Sequence, residues 1–315
     1  MDKKPLIVLT GPTAVGKTEL SIALAKEVGG EIISADSMQV YRYMDIGSAK
    51  IKPEEMDGVP HYLIDCLNPE EEFNIYRFQQ MAKEAISTIY EHHHIPILVG
   101  GTGFYIQSIL YDIHFSEEEN TIVRQKYEEL YRQKGAQYLH QKLAEIDPVS
   151  AEVIHPNNSK RVIRALEFYE LNHYPISAHN EEERKKESPY QFCYFVLNDD
   201  RELLYGRIER RVDKMIQDGL LDEVTRLKSM GYDRSMVSMQ GLGYKEILAY
   251  LEGEISLEEA VYLIKRDTRH FAKRQLTWFR RERDVIWLEK PQFSYDNKRL
   301  LDEIKKDCKE KGILS

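Results

Sequence analysis

The chain has 315 residues, 42% apolar and 31% charged, with a formal charge of 44 − 53 = −9, which bounds it to one large or two ordinary domains of soluble, globular composition. No apolar run approaches the ~20 residues of a membrane span, and the short apolar stretch before Gly11 cannot serve as a signal peptide. Cys66, Cys193 and Cys308 are an odd count with no C-x-x-C pair, which argues against a zinc motif or disulfide framework and for a reduced, cytoplasmic protein.

The first element is a strand, LIVLT, and the loop GPTAVGKT at 11–18 follows it. The next segment, ELSIALAKEV, repeats Leu20, Ala23, Leu24 and Val28 at the helical period. Strand, G-x-x-x-x-G-K-[ST] and helix form the context of a phosphate-binding loop. Gly11, Pro12, Thr13, Ala14, Val15 and Gly16 would turn their amides inward, while Lys17 supplies charge beside a helix N-terminus. Thr18 is placed to hold a magnesium ion. A ligand with two or more phosphates is expected here.

A second strand, EIISA, leads to Asp36, Ser37, Met38 and Gln39. A third, IPILV at 95–99, follows His92, His93 and His94, which read as a solvated helix end rather than a metal site. It leads into GGTGFY and a helix-like IQSIL. Nucleotide hydrolases of this class add a carboxylate at the end of a further strand, but this one ends in Gly100, Gly101 and Thr102. Ligands sit at the carboxyl ends of parallel strands. The phosphate loop, Asp36 and Thr102 should therefore converge, with Asp36 open to three uses: metal ligand, general base or helix cap.

From Ser116 to Ser188 the sequence is polar and helical in period, and NSKRVIRALE at 158–167 carries a basic cluster. A fourth strand, FCYFVL, precedes LLYGRIERRVDKMI, where Arg207, Arg211 and Lys214 share one helical face. In IKRDTRHFAKRQLTWFR, Ile264, Phe271, Ala272, Trp278 and Phe279 fall on one side. Arg266, Arg269, Lys273 and Arg280 fall on the other. Lys265 to Asp284 holds 8 basic and 3 acidic residues, a local 8 − 3 = +5 in an acidic chain. Such a stripe suits a nucleic-acid backbone. Alternating strands and helices predict an α/β fold, a P-loop NTPase-like parallel sheet with a helical insertion. Its parts would be residues 1–115, an insertion at 116–189, and 190–315.

The stretches GPTAVGKT, DSMQVYRYMDIGSAK, GGTGFYIQSILYD, HPNNSKRVIRALE, GLGYKE and AKRQLTWFR occur in that order between residues 11 and 280. In these the chain closely resembles the bacterial tRNA dimethylallyltransferases, also called tRNA isopentenyltransferases. It departs slightly at Ser48, where the family often has threonine, and at Phe104, where leucine is usual.

The resemblance implies transfer of a dimethylallyl group from dimethylallyl diphosphate to N6 of the adenosine 3′-adjacent to the anticodon, in tRNAs reading U-initial codons. It implies Mg2+ as cofactor, the anticodon stem-loop as partner and a monomeric enzyme. Asp36 would be the general base, with Lys17, Thr18 and Arg211 acting on the departing diphosphate. Asp36, Ser37, Met38 and Gln39 would receive the adenosine, with Thr102 at the reaction channel. Expected tRNA contacts are Arg124, Lys160 and Arg161; Gln240, Gly241, Leu242, Gly243, Tyr244 and Lys245; and Lys273, Arg274, Gln275, Trp278 and Arg280. The phosphate loop alone would equally suit a small-molecule kinase, which would turn over ATP and need no basic stripe.

Overall fold

A computed structural model describes residues 3–115 and 121–314; the expected junction at Ser116 lies outside the described residues. Six strands, β1 (Lys4–Thr10), β2 (Gly30–Ala35), β3 (His61–Tyr62), β4 (Ile95–Gly100), β5 (Tyr190–Asn198) and β6 (Val285–Glu289), form one sheet. Its order is β3-β2-β4-β1-β5-β6 and every pairing is parallel. The helices are α1 (Lys17–Val28), α2 (Ile75–Glu91), α3 (Gly103–Leu110), α4 (Thr121–Ile146), α5 (Pro148–Val153) and α6 (Ser159–Asn172). They continue with α7 (Ile176–Lys185), α8 (Arg201–Gln217), α9 (Leu220–Ser229), α10 (Tyr244–Leu251), α11 (Leu257–Phe279) and α12 (Asn297–Glu310).

Central strands buried on both faces need apolar residues at nearly every position rather than alternate ones. Leu6 to Leu9 and Cys193 to Leu197 meet that need, all essentially inaccessible. On one face of the sheet, Leu20 and Leu24 of α1, Ile208 of α8 and Ile304 of α12 share a core cluster with Ile7, Leu9, Cys193, Phe195 and Leu197. The result is the P-loop NTPase-like α/β fold expected. Two strands had not been anticipated, because β3 is only two residues long and β6 is a short edge strand. Neither length carries a clear period.

The chain divides into two compact units, Tyr111–Ser188 and the remainder. The smaller contains α4 to α7 and has its own core of Leu139, Leu143, Val162, Ile163 and Leu166. Buried Asp147 ties its helices. It accepts from Ser150 Oγ at 2.7 Å and from Ser177 Oγ at 2.6 Å. These bonds outweigh the effect of burial and hold its carboxyl below the ordinary value. Among the described residues no helix is long and apolar enough to cross a membrane.

Candidate active site

The loop between β1 and α1 follows the central strand of the larger unit. Gly11 has φ 146°, and a Cβ there would stand 2.3 Å from the Leu197 carbonyl oxygen, so no other residue fits. Gly16 caps α1 in the left-handed region, with φ 100°. Pro12 and Val15 are buried, Val15 within the core cluster, and the loop's backbone amides are suited to an anion. Lys17 Nζ donates to the carbonyls of Gly11 and Pro12, at 2.8 and 2.9 Å. Burial, then the neighbouring Arg211 charge, push the Lys17 ammonium down to about 7, with Asp36 pulling the other way. An anion is therefore needed to hold Lys17 fully charged.

A cleft of about 370 Å³ opens above this loop, lined by Lys17, Arg207, Arg210 and Arg211, with Asp36 as its carboxylate. Four basic side chains against one carboxylate suit an anionic ligand. Arg211 Nη1 lies 3.5 Å from Thr13 Oγ1. Burial lowers the pKa of Arg211 while Asp36 opposes the shift. Thr13, Thr18, Gly101 and Phe271 complete the lining, so the cleft has one apolar ring amid its charges.

Asp36 follows β2 and divides its carboxylate between two uses. Oδ1 accepts from the amides of Met38 and Gln39, at 2.8 and 3.3 Å, which caps the turn. Among the described residues Oδ2 has no hydrogen-bond partner. Capping, which competed with base chemistry on sequence alone, thus occupies one oxygen and leaves the other for a ligand.

Three side chains brace the loop, of which Lys290 was not expected from sequence and Gln275 was expected in another role. Arg207 Nε donates to the Ala14 carbonyl at 3.1 Å and pairs with buried Asp199, at the end of β5. Lys290 Nζ, just beyond β6, donates to the Val15 carbonyl at 3.3 Å. Gln275 of α11 joins two strand ends, accepting from Thr13 N and donating to Gly101 O, both at 2.9 Å. Expected among surface tRNA contacts, Gln275 is only 6% exposed. Its i+3 and i+4 spacing from Ala272 and Phe271, both on the apolar side, could have signalled this. Gln275→Ala would strand a donor and an acceptor at ~1–3 kcal/mol each. It is expected to lower the unfolding midpoint by several degrees and weaken diphosphate binding, measurable by thermal denaturation with and without inorganic diphosphate.

The other expected contacts divide. Of the stripe, Lys273 and Arg280 are exposed, as is Arg274 beside it, whereas Arg266 and Arg269 are part-buried and paired with Asp267 and Glu209 at 2.8 and 2.6 Å. Arg274 lies 5.7 Å over the Phe271 ring. Trp278 packs edge-on to Phe104, and its buried Nε1 has no partner among the described residues. Gly103 must be glycine beside it, since a Cβ would fall 2.2 Å from the indole. Thr102 caps the start of α3 through its carbonyl and does not line the cleft. Lys214 points away, exposed beside Asp218. Gln39's amide is engaged with Ser34 Oγ and Ala49 O, both at 3.3 Å.

In the 240–245 segment, Gln240 is exposed while Gly241, Leu242 and Lys245 are part-buried. Gly243 and Tyr244 are buried, which corrects their expected contact with a macromolecule. Tyr244 packs on Gly47, and its hydroxyl donates to Glu223 at 2.8 Å. Glu223 also accepts from the amides of Asp45, Ile46 and Gly47, at 2.9, 2.8 and 3.1 Å. This segment anchors the chain that follows Asp36. Met38, whose thioether end rests on Gly241, belongs to the same packing. Ser37 is part-buried beside them.

In the smaller unit, Lys160 and Arg161 are exposed at the start of α6. A groove of about 320 Å³ there is lined by Arg124, Arg132 and Lys160 with Tyr131 and Glu128. Arg124 is paired with Glu128 at 3.3 Å.

Comparison with known proteins adds to this geometry. The family model described as IPP transferase matches residues 39–282. A protein of Lachnoclostridium phytofermentans named tRNA dimethylallyltransferase is 64% identical over 312 residues, 99% of each chain. One of the same name from Acetivibrio thermocellus is 53% identical over 297 residues, covering 93% of this chain and 94% of that one. Among solved structures, the tRNA isopentenylpyrophosphate transferase of Bacillus halodurans superposes with a TM-score of 0.74 at 44% identity, over 98% of both chains. A eukaryotic dimethylallyltransferase acting on tRNA superposes with a TM-score of 0.78 at 30% identity, over 91% of this chain and 74% of that one.

Proposed function

The chain belongs to the IPP transferase family, and from that premise we propose that it prenylates tRNA. It moves a dimethylallyl group from dimethylallyl diphosphate to N6 of the adenosine 3′ of the anticodon, in tRNAs reading U-initial codons, and releases diphosphate. The observation that carries this reading is one cleft holding Lys17, Arg211 and Asp36 together. Cations there suit a leaving group, and the carboxylate beside them suits an incoming amine.

An adenine amino group is a weak nucleophile because its lone pair is shared with the ring. As the N6–carbon bond forms, the nitrogen must lose a proton, and Asp36 Oδ2 is the acceptor in this reading. The carbon–oxygen bond to diphosphate breaks in the same event, and negative charge grows on the departing oxygens. Loop amides, Lys17 and Arg211 meet that charge with donors already in place. The adenosine reaches Asp36 only after leaving its stack, at a cost of a few kcal/mol. Phe271 gives the cleft an apolar wall suited to the prenyl chain.

Magnesium fits the donor set. It takes oxygen ligands, usually one or two from the protein with substrate phosphates and water, and Thr18 offers its hydroxyl at the mouth of the cleft. When bound there, the ion would neutralise part of the diphosphate charge. Exposed Lys160, Arg161, Lys273, Arg274 and Arg280 are suited to tRNA phosphates, and the smaller unit serves in this reading as a tRNA-binding insertion.

Incubation with labelled dimethylallyl diphosphate and magnesium, with tRNA, AMP or ATP as acceptor, tests the proposal. Label should enter tRNA alone; ATP hydrolysis as the sole reaction would identify a kinase-like or ATPase site instead.

A pH dependence follows from Lys17, which loses its proton near pH 7 in the free protein. Bound diphosphate stabilises the ammonium and raises its pKa, so binding takes up a proton. Affinity for a given ionic form of the ligand should fall about tenfold per pH unit above ~7. Calorimetry in buffers of different ionisation heat should give uptake approaching one proton at pH ~8, after correction for the ligand's own titration. Lys17→Ala should show almost none.

A further inference from the structure

Glu31, the second residue of β2, is 2% exposed, although a carboxylate is seldom buried unless paired. Its Oε2 accepts from the Tyr62 hydroxyl on β3 at 2.6 Å. Its Oε1 lies 2.9 Å from His92 Nδ1 and 2.6 Å from His94 Nδ1. The group is thus a buried carboxylate facing two imidazoles.

The turn from α2 to β4 organises the histidines. His93 stands between them in the left-handed region, with φ 59°. Backbone bonds from His93 N to Tyr90 O and from His94 N to Ile89 O hold the turn. The flanking side chains are 50% and 47% exposed, with ring centroids 6.3 Å apart and planes at 77°. One ligand atom from each of Glu31, His92 and His94 lies within 4.8 Å of the others.

We propose that Glu31, His92 and His94 form a binding site for a divalent transition-metal ion, with zinc as the best match. Two imidazole nitrogens and a carboxylate oxygen are zinc's preferred mixture, and the fourth position falls to water. Magnesium and calcium, which select oxygen donors, match it poorly. Bonds of ~2.0–2.2 Å require only small movements of two half-exposed rings. The cation replaces the contacts between Nδ1 and Glu31, and each neutral imidazole carries its proton on Nε2. Tyr62 stays on the second carboxylate oxygen as the outer partner that orients a metal-bound carboxylate. A dication neutralises the buried charge and staples β2, β3 and the α2–β4 turn. This site is separate from the reaction cleft, since five residues of strand, about 16 Å, divide Glu31 from Asp36.

The histidine triplet does lie exposed at the end of α2, as a solvated helix end would; what the fold adds is a buried carboxylate against two of its rings. The test is zinc titration of the metal-free full chain by calorimetry, paired with thermal unfolding. One zinc per chain and a raised unfolding midpoint are expected. The half-exposed double variant His92→Ala/His94→Ala should lose both effects while keeping its fold and its prenyl-transfer rate. Tyr62→Phe should bind zinc about 10-fold more weakly. The proposal is overturned if the double variant binds zinc as the unaltered protein does. It is equally overturned if the unaltered protein shows no zinc-dependent shift at millimolar metal.

Discussion

Asp36→Ala is expected to slow prenyl transfer to tRNA by about 10²–10⁴-fold, the usual range for a general base, while tRNA affinity stays within a few fold. The structure adds a complication, because Asp36 Oδ1 also caps the turn through the Met38 and Gln39 amides. Alanine therefore removes a base and a cap together, and the lost cap costs about 1 kcal/mol of stability. Asp36→Asn separates the two. Its amide oxygen can still accept from both N–H groups, but it cannot take a proton from adenine. Asparagine should restore the unfolding midpoint and leave turnover as low as alanine does. Single-turnover rates at saturating tRNA decide the matter, and near-normal turnover in Asp36→Asn would remove Asp36 from the chemistry.

Arg211→Ala should lower the rate of the chemical step by about 10²–10³-fold, with little change in tRNA affinity. Its guanidinium lies in the cleft near Thr13, and a donor already in place loses no reorganisation energy as charge develops. A second readout distinguishes this role from a structural one. Arg211 helps depress the Lys17 pKa, so removing its charge should raise that pKa. The loss of diphosphate affinity with pH should then begin at higher pH than in the unaltered protein. Weakened tRNA binding with an unchanged chemical rate would contradict the assignment.

The parts of the site that were legible in advance are those encoded within a few consecutive residues. The phosphate loop is one, because glycine spacing, the lysine and the flanking strand and helix are all local features. Asp36 is another, because a polar residue directly after an apolar strand must emerge at the sheet's carboxyl edge. The basic stripe of α11 was readable for the same reason, since a helix fixes which residues share a face. Gln275 shows the limit. A glutamine in a basic segment reads as surface, yet its amide fits two backbone groups contributed by the ends of β1 and β4. Tyr244 shows it again: its ring has a place only because Gly47 lacks a side chain, nearly 200 positions away.

Local pattern thus specified four of the six described strands, the phosphate cradle, the acid beside it and the sign of the surface charge, since each depends on near-neighbour spacing and backbone geometry. The fold alone settled which cations line the cleft, why one oxygen of Asp36 is already committed, and how Arg207, Gln275 and Lys290 brace the loop. It also brought Glu31 to His92 and His94 across β2 and β4. These outcomes depend on strand order and side-chain packing between distant segments. Burial selects such pairings through the whole core at once, and no short window of sequence carries that information.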